Sequence, residues 1–282
     1  MPLRYGLIEP ADLGLPRLPR TLQGLRLAHV SDTHITRARP RLESLLNQLP
    51  ALRLDLLLLT GDFMTAPGDE DATMSFLQRL TDRVKPSVGT FGVFGNHDSA
   101  ELIDRCQSQL RSVHWLINTA KRAYHRDTPI DVLGFHTQRG RGPDSVALAQ
   151  AGRARLDPEG NPQPLAPPAD PDRPLRIALS HFPFSLPPAS DLGADLLLSG
   201  HTHGGQIRLP GGIPLRNACP LPLNLTTGLQ RHRNTLGVVS RGLGEMTLPF
   251  RAFCPPHAPV YTLRQKSLPG QPTDQTVRLW HW

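Results

Sequence analysis

The sequence predicts an α/β protein built on largely parallel sheet, and three observations carry that prediction. Near-continuous apolar runs recur at residues 25–31, 55–60 and 87–94. Segments with helical spacing lie between them, with Leu42, Leu45, Leu46 and Leu49 on one face of 41–52, and Phe76, Leu77 and Leu80 on one face of 73–84. Each apolar run then stops in a polar turn that carries an acid or an imidazole. Strands apolar on both faces belong in a sheet covered on both sides. In such sheets ligands gather beyond the carboxyl ends of the strands.

Taken in order, residues 1–24 are rich in Pro, Leu and Arg and read as an irregular lead-in. A core strand at 25–31 runs into Asp32-Thr-His34; the helix 41–52 leads to a buried strand at 55–60 that ends in Gly61-Asp62. The helix 73–84 leads to a third strand, 87–94, stopped by Gly95-Asn-His-Asp98. A helix over 101–110 and short strands at 123–125 and 130–135 follow. Residues 137–174 are rich in Gly, Pro, Arg and Asp and read as an insertion, with a short helix near 145–155 and a surface loop over 156–174. Strands resume at 175–180, ending in His181, and at 194–199, ending in Gly200-His-Thr-His-Gly-Gly-Gln206. Further strands at 225–230, 235–240 and 259–263 alternate enough to be antiparallel or edge members. No repeat of fixed period is present, and 266–282 shows no pattern. A single domain over 25–265 accounts for the motifs, with 266–282 as a tail.

Composition narrows the classes of function. The 282 residues, 38% of them hydrophobic, suffice for one substantial core. No apolar run approaches the ~20 residues that span a bilayer, and the N-terminus lacks the pattern of a secretory signal. A soluble cytoplasmic protein, with peripheral contact at the inner membrane face, is expected. Cys106, Cys219 and Cys254 are odd in number and far apart, so they read as buried thiols rather than a disulfide or zinc framework. The formal net charge of +7 favours anionic ligands, phosphates, acidic headgroups or nucleic acid. With no run of basic residues, it decides nothing narrower.

The strand-end turns hold the chemistry. Asp-x-His at the end of a strand places both side chains on one face, because side chains alternate with period two. A carboxylate such as Asp62 can bridge two cations, Asn96 offers an amide oxygen, and His181, His201 and His203 offer imidazole nitrogen. Mixed oxygen and nitrogen ligation suits manganese, iron, zinc or cobalt better than calcium. Each turn alone has a plainer account: Asp32 or Asp62 as a helix cap, Asn96 as a turn residue, His181 as a buried hydrogen-bonded imidazole. The joint occurrence of five such turns, each after an apolar strand, argues against accident.

The blocks D-x-H, G-D, G-N-H-D, H and G-H-x-H, in that order across residues 25–245, resemble the calcineurin-like metallophosphoesterase superfamily. The extended Gly-His-Thr-His-Gly-Gly-Gln206 with Val239-Ser-Arg-Gly-Leu-Gly244 is similar to its bacterial branch of lipid-acting phosphodiesterases. The resemblance implies a four-layer α/β/β/α sandwich of two mixed sheets and two divalent ions, manganese foremost, with iron, zinc, cobalt or magnesium as the other candidates. It implies one ion on Asp32, His34, Asp62 and His203, and a second on Asp62, Asn96, His181 and His201. His97, oriented by Asp98, would touch the substrate phosphate or protonate the leaving oxygen. Asn96 would also help to bind substrate; Arg208 and Arg241, close to these motifs in sequence, are candidates to clamp a phosphate or headgroup, with a plain surface role as the alternative. Two ions about 3.5–4 Å apart would supply a bridging hydroxide as nucleophile, in keeping with the absence of a serine elbow. The implied reaction is hydrolysis of a phosphodiester or pyrophosphate, on a lipid precursor such as UDP-2,3-diacylglucosamine. A cyclic nucleotide or nucleic-acid diester is the alternative substrate, and a non-catalytic metal-binding scaffold the alternative class. For a lipid, residues 219–225 or the loop 156–174 would line an apolar groove.

Overall fold

The computed structural model describes residues 7–36, 40–136, 154–156, 162–164, 166–170, 172–217 and 219–280. Two sheets form its middle. The first runs β1 (Ile8–Leu15), β14 (Ala258–Gln265), β2 (Arg26–Val30), β3 (Leu56–Thr60), β4 (Gly89–Val93), β5 (Val113–Trp115). The second runs β15 (Val277–Trp280), β12 (Gly228–His232), β13 (Thr235–Val239), β11 (Leu196–Ser199), β10 (Leu175–Ser180), β7 (Thr128–Phe135), β6 (Thr119–His125), β8 (Ala154–Leu156), β9 (Pro162–Pro164). Helices α1 (Pro40–Gln48), α2 (Glu70–Arg83) and α3 (Ala100–Gln109) cover the first sheet, and α4 (Leu186–Asp191) covers the second. This is the expected α/β/β/α sandwich.

The apolar runs are explained by which layer each residue faces. In β3, Leu57 and Leu59 pack under the helices, while Leu56 and Leu58 point between the sheets. In β11, Leu196 and Leu198 join the inter-sheet core and Leu197 packs with Leu186 and Ala189 of α4. A strand with a dry layer on both faces has no polar positions to show, so alternation disappears from its sequence. β2 through β5 pair in parallel, as do β7, β10, β11 and β13. β14 runs antiparallel to β2, and β12 antiparallel to β13. The turns after β2, β3, β4, β10, β11 and β13 therefore gather at one edge of the sandwich.

Three expectations need correction. The lead-in is not irregular: β1 pairs in parallel with β14 over eight positions, and its Leu13 and Leu15 are fully buried between the sheets. Its sequence, Ile-Glu-Pro-Ala-Asp-Leu-Gly-Leu, hides this because its first half lies at an edge and stays partly exposed. The tail also joins the fold, since β15 pairs antiparallel with β12. In the insertion, the helix expected near 145–155 lies almost wholly outside the described residues, while β8 and β9 pair antiparallel at the sheet edge. Beyond them, Arg173 is buried and donates to both carboxylate oxygens of Asp195, at 2.8 and 3.0 Å. Helix boundaries shifted for local reasons. α2 starts at Glu70, ahead of its apolar stripe, with two acids in a first turn that favours them. α1 tightens to a 3₁₀ turn at Leu49–Ala51, where Pro50 cannot donate to the ladder.

Candidate metal centre

The strand-end turns bring six metal-type side chains into two adjoining groups, Asp32, His34 and His203, and Asp62, His181 and His201; within each, one ligand atom per residue lies within 4.8 Å of the others. In the first, Nε2 of His203 is 3.1 Å from Nε2 of His34 and 3.5 Å from a carboxylate oxygen of Asp32. In the second, Nε2 of His181 is 3.0 Å from Oδ2 of Asp62 and 3.2 Å from Nδ1 of His201. That same Asp62 oxygen is 3.7 Å from Nε2 of His34, so Asp62 stands between the groups.

The backbone is bent to achieve this. Asp32, His34, Asp62, His201 and His203 all have positive φ, between 42° and 69°, a region that non-glycine residues seldom occupy and that costs about 1–3 kcal/mol each. Hydrogen bonds across the sheet edge hold the bends: Asp32 N–H to the Gly61 carbonyl (3.0 Å), and His34 N–H to the Asp62 carbonyl (3.1 Å). The His201 N–H donates to Asp32 Oδ1 (2.9 Å) and the His97 N–H to Asp62 Oδ1 (2.8 Å). His181 Nδ1 donates to the Thr60 carbonyl at 2.8 Å, which aims Nε2 at Asp62. The motif glycines follow from crowding. A Cβ on Gly95 would lie 2.1 Å from Asp62 Oδ1, and one on Gly200 would lie 2.0 Å from Ser31 Oγ.

The donors fit a pair of transition-type cations. Burial pushes His34 down to about 4 and His203 well below its usual value, so both present neutral lone pairs. Burial would also lower His181, but the Asp62 carboxylate outweighs it and raises that imidazole to about 9. His181 thus holds a proton where a cation would compete. Asn96 Oδ1 is shielded from solvent and accepts no hydrogen bond from the described residues. An unsatisfied buried oxygen on the turn whose Gly95 packs against Asp62 is a donor that a cation would satisfy.

Other expected roles change. His97 does line the site, but Asp98 does not orient it. Nδ1 of His97 donates to the Thr65 carbonyl at 2.9 Å. The Asp98 carboxylate instead accepts from the backbone N–H groups of Asp62, Phe63 and Gly95, at 2.7–2.9 Å, and so shapes the turn that carries Asp62. Arg208 and Arg241 do not reach substrate space. Arg208 is buried and its Nε donates to the Gly204 carbonyl at 2.7 Å. Arg241 is buried, with its Nε on the Pro255 carbonyl at 2.9 Å and its guanidinium paired with Glu9.

Two residues to which the sequence reading gave no role serve the site. Arg251 donates to the carbonyls of His203 (3.2 Å) and Arg241 (2.8 Å), bracing the turn behind His203. Gln206 pins the 246–250 segment: its amide nitrogen is 2.9, 2.9 and 3.1 Å from the carbonyls of Met246, Leu248 and Phe250, and its oxygen accepts from the Met246 N–H at 2.7 Å. Gln206 was visible as the end of the Gly-His-Thr-His motif; nothing around Arg251 announced it. A cavity of about 300 Å³ opens beside the site. Its lining combines Asp62, His97, His201 and His203 with Ile207, Leu215, Met246 and Leu248. The apolar lining therefore comes from Ile207, Leu215, Met246 and Leu248, not from 219–225.

An α/β/β/α sandwich with two adjoining groups of nitrogen and oxygen donors at its strand ends has the architecture of a metallohydrolase. Residues 25–205 match the model of the calcineurin-like phosphoesterase family, and the chain belongs to that family. It is 27% identical over 231 residues to the uncharacterized metallophosphoesterase YkoQ of Bacillus subtilis, covering 80% of this chain and 79% of that one. It is 27% identical over 237 residues to the UDP-2,3-diacylglucosamine pyrophosphatase LpxG of Chlamydia trachomatis (70% and 68%). It is 30% identical over 189 residues to the phosphodiesterase YaeI of Escherichia coli (66% and 63%). The protein is a phosphoric ester hydrolase of a family that works with divalent metals.

Proposed function

We propose that the chain hydrolyses a phosphodiester or pyrophosphate bond in a lipid-linked substrate, for which UDP-2,3-diacylglucosamine is the working compound. The observation that carries this is the mixed lining of the cavity, which joins Asp62, His201 and His203 of the donor groups to Ile207, Leu215, Met246 and Leu248. Such a cavity suits a molecule with a phosphate at one end and an aliphatic arm at the other. Asp32, His34, Asp62 and His203 would hold one divalent ion, and Asp62, Asn96, His181 and His201 the second, with Asp62 shared. Manganese is the working metal for this mixed oxygen and nitrogen set, with iron, zinc, cobalt or magnesium as the other candidates. Bound ions would supply Lewis-acid polarisation of phosphoryl oxygens and a field that acidifies water.

The chain's own groups do the rest. Asp62 is locked by the His97 N–H. The Thr65 carbonyl takes Nδ1 of His97 and leaves Nε2 for the cavity. In that pose the ring can meet a phosphate oxygen and hand a proton to the departing one. The apolar wall excludes water and orients the ester. The setting that fits such a substrate is the cytoplasmic face of a membrane; no described helix is long and apolar enough to cross one.

The test is a substrate panel after metal analysis. With Mn²⁺, the protein is expected to turn over bis-p-nitrophenyl phosphate. It should favour UDP-2,3-diacylglucosamine over its deacylated form by about 10² or more in kcat/KM, the value of burying part of an acyl arm. Equal rates with and without the acyl chains would sink the lipid reading, and preference for cyclic nucleotides or DNA would replace it. Full metal occupancy with no hydrolysis of any ester would make the chain a scaffold.

A further inference from the structure

The loops around the cavity mouth carry an unusual surface. Ten large apolar side chains are exposed among the described residues, and seven of them lie between 209 and 253. Leu209, Ile213, Leu215, Leu248, Phe250 and Phe253 are each 43–65% exposed, on two loops stitched together at their base. The Arg208 N–H donates to the Ala252 carbonyl (2.9 Å), the Ala252 N–H to the Gln206 carbonyl (3.1 Å), and Leu209 closes its turn on Ile213 (2.8 Å). With Gln206 holding Met246, Leu248 and Phe250 as well, the collar is a built surface. Its charge is one-sided: 204–227 and 246–257 contain no Asp or Glu, and the exposed Arg216 lines the cavity mouth. Leu215 and Leu248 belong to both collar and cavity, so the collar continues into the cavity that His201 and His203 also line.

We propose that the 207–216 and 246–253 loops dock on an anionic lipid bilayer and set the mouth of the cavity against its headgroup layer. Apolar tips enter the headgroup boundary while the acid-free, arginine-bearing rim meets the negative surface potential, the two contributions that interfacial anchoring needs. A soluble protein seldom leaves such a patch open to water without a surface to cover it. A lipid ester could then pass its phosphate into the site while its acyl arms stay among lipids. The inference rests on the lipid reading of the site for its purpose, but its test does not depend on turnover.

The whole chain is floated with vesicles of phosphatidylcholine alone or mixed with phosphatidylglycerol, at low and high salt. Wild type should rise with the mixed vesicles, less so as salt increases, and little with phosphatidylcholine. A triple variant, Ile213→Glu with Phe250→Glu and Phe253→Glu, alters exposed residues that do not line the cavity. It should lose vesicle binding about tenfold or more, yet hydrolyse bis-p-nitrophenyl phosphate at the wild-type rate. Failure of wild type to bind mixed vesicles, or equal binding by the variant, overturns the docking surface. So does sedimentation showing a wild-type dimer that the variant converts to monomer, because a second copy would then cover the patch. Vesicle binding without any preference for acylated pyrophosphates supports the surface and removes the substrate proposed for it.

Discussion

At the scale of single residues, the site is defined by what each side chain faces. Asp62 stands between the donor groups, its Oδ2 3.0 Å from His181 and 3.7 Å from His34, so Asp62→Ala should strip both ions and abolish activity, as read by metal analysis and turnover. His97 is anchored outside those groups by the Thr65 carbonyl. His97→Ala should therefore keep full metal content and lose about 10²–10⁴ in kcat, the usual worth of a positioned acid or base. Metal loss in His97→Ala would make it a ligand and reverse the assignment. Arg241 supplies a contrast. It is buried against Glu9 and the Pro255 carbonyl, so Arg241→Met should cost about 2–3 kcal/mol in urea unfolding and leave KM unchanged. The cost falls at the lower end for a buried pair because Glu9 keeps some contact with water. The acids, amides and imidazoles of the site were legible from their short motifs. The duties of Asp98 and the two arginines were not, because a polar side chain next to a motif can as well satisfy backbone as meet a ligand.

At the scale of elements, parallel strands deliver turns and the turns are strained. Five of the candidate ligands sit at positive φ, and that conformation persists because neighbouring turns hydrogen-bond to one another. The β13 turn belongs to the same system: the Gly244 N–H donates to the Asp32 carbonyl at 2.6 Å, behind the first ligand. The collar has its own keystone. Gln206→Ala removes every side-chain hydrogen bond seen between residue 206 and the 246–250 segment. It should raise KM for an acylated substrate about tenfold, with a smaller change in kcat, because backbone groups left without an acceptor or donor would reorganise the apolar wall. An unchanged KM would mean the wall plays no part in binding. Strands β2, β3, β4, β10 and β11 were readable because each runs apolar on both faces and stops at a turn. β1 and β15 were not. An edge strand that pairs with a distant segment stays partly exposed, so its residues follow no core pattern, and its strand character comes from the partner's free hydrogen-bonding edge.

At the scale of the molecule, the donor groups join segments from positions 32 to 203 and from both sheets. Ions there should tie the two sheets together in the folded state alone. Loading at about a thousandfold over Kd should stabilise the chain by about 4 kcal/mol, which for this size is a rise of about 10 °C in Tm. Exhaustive chelation followed by calorimetry checks this, and an unchanged Tm would mean the groups do not hold ions. The same closure explains the glycines. Gly95 and Gly200 bring β4 and β11 turns within van der Waals distance of Asp62 and Asp32, ligands borne by other strands.

The chain's sequence, by itself, determined the α/β class, the order of the parallel strands' turns and the candidate side chains they carry. Those properties are local: apolar runs, helical spacing and turn chemistry are each written within a few residues. Tertiary structure alone decided that both ends of the chain join the sheets, that Arg208 and Arg241 turn inward, and that Gln206 and Arg251 brace the loops of the site. It also decided that the apolar collar opens beside the ligands. Each of these depends on a neighbour far away in the chain, 232 residues away for Arg241 and Glu9. Burial and hydrogen-bond partners at that range arise only when the sheets close on one another.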